Sequence, residues 1–166
     1  MMMDTDTARM LVNYNAWADQ TFFESLATLP EDEIYRQRKT LFKSIIGTLN
    51  HNYQVDLIWK AHLLGEEHGF TNRRDLLHPK FEDLVMAQTE VNQWLVTWAQ
   101  TQAPENFGEI VSFRFVSGKA AEMKKGAILL HLVNHKTYHR GWVAEMLFDI
   151  GAKAPDTDLS VYLCET

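Results

Sequence analysis

A chain of 166 residues with a net charge of −6 and a hydrophobic share of 46% has the size and composition of one globular domain, here spanning residues 1–166, with no sign of disorder or a fibre. No cluster of Lys and Arg stands out, which argues against a nucleic-acid phosphate footprint and against a polybasic membrane anchor. One cysteine, Cys164, can make neither an internal disulfide nor a thiolate-rich zinc site.

The opening MMMDTDTARM lacks a basic segment followed by a long apolar core, so no signal peptide is expected. No stretch approaches the roughly 18 apolar residues of a membrane span. The expectation is a soluble cytoplasmic protein. The spacing then predicts a first helix over residues 6–27, with Leu11, Tyr14, Trp17, Ala18, Phe22 and Leu26 recurring on one side. Asp4, Thr5 and Asp6 are N-cap candidates, and Pro30 follows the stop. A second helix is predicted over residues 44–64, ended by Gly65. A third covers residues 80–101, with Phe81, Leu84, Val91, Trp94, Leu95 and Trp98 inside. A fourth covers residues 123–150 and ends at Gly151, a residue suited to a helix C-terminus.

Four amphipathic helices of this length predict an all-α fold, a four-helix bundle. The polar link over residues 66–79 is long enough to be a crossover. Between the third and fourth helices, EIVSFRFV (109–116) alternates apolar and polar residues and meets Ser117-Gly118, the pattern of a short strand or hairpin at one end of the bundle.

The fourth helix carries His131, His135 and His139 at four-residue spacing, which puts them on nearly one face. His131 and His139 are about 12 Å apart along a straight helix axis, too far to share one ion. A mononuclear site must therefore use His131 with His135, or His135 with His139, and recruit a further ligand. Leu132, Val133, Trp142, Val143 and Met146 make this a largely buried helix, where an imidazole needs a partner. Metal is one solution; a hydrogen bond from a satisfied core histidine is the other.

The further ligand comes from His51, His62, His68, His78 or a carboxylate. His68 and His78 lie in the polar link and read as solvated. His62, near the end of the second helix, is expected at the periphery. His51, among apolar neighbours inside that helix, can face the middle of another helix and is the best-placed candidate. Other metal and catalytic patterns are missing. No histidine has a glutamate three residues before it, so paired Glu-x-x-His is absent. The zincin H-E-x-x-H motif is absent, because His135 is followed by Lys136, and glycine-rich phosphate loops and a nucleophile elbow are absent too. Cys164 has no neighbouring His or Lys to activate it.

Four segments in order, YNAWADQ (14–20), LNHNYQVDLIW (49–59), HLVNHKTYHRGWV (131–143) and DLSVYLCE (158–165), resemble the DinB family, also called the DinB/YfiT-like superfamily. The resemblance spans essentially the whole chain. It implies a four-helix bundle, a homodimer, and one divalent metal ion held by His51, His135 and His139, with His131 outside the ligand set. Two departures are visible. Tyr138 stands where members often have another histidine, and Trp142 where many have glutamine, which puts the substrate or activity in question.

Three neutral ligands leave a coordination position open, the catalytic pattern for zinc, and such an ion acidifies bound water or thiol. Some proteins similar to this family transfer or isomerise with low-molecular-weight thiols. The expectation is a metal-dependent enzyme of thiol-transferase or hydrolase type, loaded with zinc or nickel and acting on a small molecule. Asp56, Asn134 and Arg140 are candidates for supporting the ligands. The alternatives are a non-catalytic metal-binding stress-response or interaction protein, and a metal-free bundle with core histidines.

Overall fold

Asp4 starts the first helix, α1 (Thr5–Leu26), in the computed structural model, which describes residues 3–165. Its carboxylate accepts from the Thr7 N–H at 2.7 Å and the Thr7 hydroxyl at 2.9 Å, satisfying a donor that has no intrahelical partner. After Pro30 comes a short α2 (Glu31–Tyr35). The next helix, α3 (Ile45–Leu64), begins at Ser44, whose hydroxyl accepts from the Gly47 N–H at 3.1 Å. It ends at Gly65, whose φ of 71° is the left-handed conformation glycine adopts at low cost. Then follow α4 (Phe81–Thr101), α5 (Lys125–Phe148) and α6 (Leu159–Glu165). A 3₁₀ turn (Pro104–Gly108) and an antiparallel hairpin of β1 (Ile110–Arg114) and β2 (Ala120–Lys124) separate α4 from α5.

The fold is the expected helical bundle with a small β segment, and it differs in detail. Of the strand or hairpin expected from 109–116, the structure has the hairpin, with β2 as the partner whose residues periodicity did not mark as strand. Met123, expected in the last helix, is a strand residue opposite Val111, so α5 starts at Lys125. The hairpin turns at Gly118, with φ 84°, and its ladder hydrogen bonds override the helical preference of AAEMK. The two short helices were not anticipated, because five or seven residues carry too little periodicity. What holds α6 is aromatic packing: Tyr162 lies 5.8 Å from Tyr14 and 5.3 Å from Trp17, centroid to centroid.

Two apolar clusters lie at the two ends of the bundle. One joins the N-terminal half of α1 (Val12), the C-terminal halves of α3 and α4 (Trp59, Leu95) and the N-terminal half of α5 (Leu129). The other joins Phe22, Ile45, Leu84 and Leu147 from the opposite ends of the same helices. The helices therefore run up, down, down, up. Because α3 and α4 are parallel, the link between them must travel the length of the bundle, and residues 66–80 are that crossover.

Between the clusters lies a buried polar layer to which all four long helices contribute. Lys136 pairs with Asp19 and, at 2.8 Å, with Asp56; Arg140 reaches Asp19 at 3.3 Å. Gln88 and Asn92 close the network by hydrogen bonds to Asp56 and Asp19 at 2.7 and 2.9 Å. Burial raises the Asp56 pKa, against the pull of Lys136. Burial alone would lower Lys136, but Asp19 and Asp56 outweigh it and raise it. Among the described residues, no helix is long and apolar enough to cross a membrane.

Candidate metal centre

On the face of α5 next to Lys136, the same layer holds histidines. His135 and His139 are one turn apart and point the same way. His51 comes from the facing stretch of α3. One nitrogen from each of the three lies within 4.8 Å of the others, and this is the only such group of His, Cys, Asp or Glu among the described residues. The Nε2 atoms of His51 and His135 are 3.1 Å apart. Two nitrogens sharing a tetrahedral zinc at its usual bond length stand about 3.3 Å apart.

The Nδ1 of His51 donates to the Arg73 carbonyl oxygen at 2.8 Å. A carbonyl only accepts, so the proton is on Nδ1 and the Nε2 lone pair faces the cluster. The Nδ1 atoms of His135 and His139 are buried without a hydrogen-bond partner. Burial first, and then the neighbouring histidines, push His135 down to about 2. Burial and His51 push His139 down to about 4. Burial also lowers His51, against the Arg73 carbonyl. All three are neutral imidazoles at neutral pH, the form that ligates metal. Three neutral imidazoles, each bringing one ring nitrogen to a common point with no charge to displace, fit a divalent ion.

The structure does not bring the other histidines into this group. His131 is half-buried, its ring 4.9 Å from Trp59 and 5.8 Å from His135. His62, expected at the periphery, is instead 7% exposed. The hairpin folds over the end of α3 and places Phe113 4.9 Å from its ring, with His68 at 5.3 Å. His78 packs its ring on Tyr53 at 5.1 Å, while its backbone is held by Asn50. Asp56 and Arg140 belong to the buried ion-pair layer, and Asn134 is exposed. Support for His51 comes from a main-chain carbonyl, which leaves no mark in residue type.

A cleft of about 790 Å³ opens over the three histidines. Phe42 stacks on His51 with centroids 4.1 Å apart and planes 16° from parallel. Trp142, 4.7 Å from the His139 ring, and the 61%-exposed Tyr138 also line it. Trp142 was singled out in the sequence as a departure from the family's pattern. Phe42 was not, because a lone aromatic in a loop carries no signal.

A profile of the DinB family matches residues 2–165. Protein DinB of Bacillus subtilis (strain 168) is 29% identical over 176 residues, covering 98% of this chain and 96% of that protein. The 2.01 Å crystal structure of a DinB-like protein from Bacillus cereus ATCC 10987 superposes with a TM-score of 0.71 at 16% identity, over 94% of this chain and 99% of that one. That likeness shows a shared fold, and the family profile spans nearly every residue that builds it. The chain belongs to the DinB family.

Proposed function

We propose that His51, His135 and His139 bind one divalent metal ion, zinc or nickel, and that the protein is a metal-dependent enzyme acting on a small molecule. The carrying observation is the convergence of three neutral imidazoles at the floor of an open cleft. Structural zinc sites are closed by four protein ligands, whereas three leave a position for water or substrate. Bound there, the ion would supply Lewis acidity and a water or thiol acidified toward neutral pH. The chain's own part is positioning. The Arg73 carbonyl fixes the His51 ring, and Phe42 and Trp142 shield the histidines with apolar surface. No carboxylate lines the cleft, so no side chain is assigned as general base. A low-molecular-weight thiol as cosubstrate, with transferase or hydrolase chemistry, and assembly as a homodimer, belong to the same proposal.

Elemental analysis of untagged wild type beside His135→Ala tests the first step. About one equivalent of metal per chain, lost in the variant, supports the reading. A wild type that stays metal-free after reconstitution overturns it. Loaded protein that turns over neither thiol-transfer nor hydrolytic substrates leaves a metal-binding protein without catalysis.

A further inference from the structure

Two arginines stand at the cleft with nothing to neutralise them. Arg73 and Arg74 both line it and both are exposed. Neither side chain has an ion-pair or hydrogen-bond partner among the described residues. Each of the other five does: Arg9 with the Gln100 carbonyl, Arg36 and Arg38 with Glu33, Arg114 with the Gly118 carbonyl, Arg140 with Asp19. The nearest acidic neighbour in sequence, Asp75, is turned away. Its carboxylate accepts from Gln54 at 2.8 Å and from Asn72 at 2.9 Å. In a chain of net charge −6, a cleft lined by two arginines and no carboxylate is a local reversal of sign.

The backbone that carries the arginines is held in place. Three side chains of α3 clamp the backbone of the crossover. Asn50 bonds both the N–H and the carbonyl of His78, at 2.8 and 2.9 Å. His51 bonds the Arg73 carbonyl. Gln54, fully buried, bonds the Asn72 carbonyl at 3.0 Å and the Asp75 N–H at 3.2 Å. The chain thus orders a polar loop whose middle presents two guanidinium groups beside the histidines.

We infer that the cleft selects a carboxylate-bearing small molecule, its carboxylate held by Arg73 and Arg74 and its apolar body against Phe42 and Trp142. Guanidinium groups match carboxylates in geometry and charge, and a partly desolvated pair is stronger than one in open water. That this molecule is a substrate rests on the proposed metal-dependent activity; its recognition does not, because neither arginine is a ligand.

The test therefore uses metal-free protein above pH 7, where the histidines are neutral. 3-Phenylpropionate and its uncharged isostere 3-phenylpropionamide are titrated by calorimetry into wild type and into Arg73→Gln/Arg74→Gln. Wild type is expected to bind the carboxylate about tenfold more tightly than the amide, and the double variant to bind the two alike within about twofold. Equal affinities in wild type, no saturable binding of the carboxylate, or a preference kept by the double variant overturns the inference. Metal content of the same double variant after reconstitution is expected to equal that of wild type. Loss of metal there would show that the arginines serve the ligands, and would also overturn it. A wild type that takes up no metal yet keeps the charge preference would sink the metal reading alone.

Discussion

His51 gives its Nδ1 proton to the main-chain carbonyl of Arg73, 2.8 Å away, and so turns the lone pair of Nε2 toward His135, 3.1 Å away. One hydrogen bond from the crossover thus sets the tautomer of the histidine that α3 contributes. His131, on the same stripe of α5, has no such role: its ring lies against Trp59. We expect His51→Ala to abolish stoichiometric metal binding and His131→Ala to retain it, measured by elemental analysis after reconstitution. Retention in the first would take His51 out of the ligand set, and loss in the second would bring His131 into it.

Acid should destabilise the metal-free protein through these histidines. In the unfolded chain they take up protons near their ordinary pKa of 6.5, while in the fold His139 resists to about 4 and His135 to about 2. The unfolded state then holds more protons, so stability is complete above about pH 6.5 and falls as pH drops. Each group contributes a slope of up to about 1.4 kcal/mol per pH unit, ending near pH 4 for His139 and near pH 2 for His135. Urea denaturation with chelator between pH 7 and 5 should show a shallower dependence for His135→Ala/His139→Ala than for wild type. Parallel curves would refute the burial of neutral imidazoles.

Lys136 is the cation on which Asp19 and Asp56 both depend. Lys136→Met fits a similar stem but leaves two buried carboxylates short of a counter-charge, with only Arg140 remaining on Asp19. Breaking a buried pair by removing one partner costs about 3–5 kcal/mol. We expect a loss of that order in urea denaturation midpoints at pH 7, with the metal stoichiometry of the folded protein unchanged. A change below about 1 kcal/mol would mean that water reaches this layer.

Gly47 marks where α3 meets the loop that carries Phe42. A Cβ at this position would stand 2.1 Å from the Phe42 carbonyl oxygen, which cannot be accommodated without moving the loop. The loop has little freedom: Lys43 has a left-handed φ of 66°, and the Ser44 N–H bonds the same carbonyl at 2.9 Å. Gly47→Ala should cost about 1–3 kcal/mol by overpacking and lift the Phe42 ring off His51. Faster hydrogen exchange at the Arg38 and Ser44 amides, with α5 unaffected, would report the displacement. Wild-type exchange in this loop would contradict the close approach.

Helical periodicity in the sequence was enough for the four long helices, since positions such as Leu11, Phe22, Leu84 and Leu95 repeat at the spacing that buries one face. Glycine 65, a positive-φ residue, and the alternation in EIVSFRFV were equally legible, because local backbone preference decides them. The i, i+4 spacing put His135 and His139 side by side without any tertiary information. What no local rule contains is the direction of the helices and the register in which they pack. Parallel α3 and α4 made residues 66–80 a crossover, and packing placed His51 level with His135, left His131 against Trp59 and buried His62 beneath Phe113. The same packing took Asp56 and Arg140 into an ion-pair layer and set Arg73, Arg74 and Phe42 at the cleft. Those placements depend on residues far apart in the chain, and on main-chain atoms such as the Arg73 carbonyl, which every residue possesses and only the folded chain can aim.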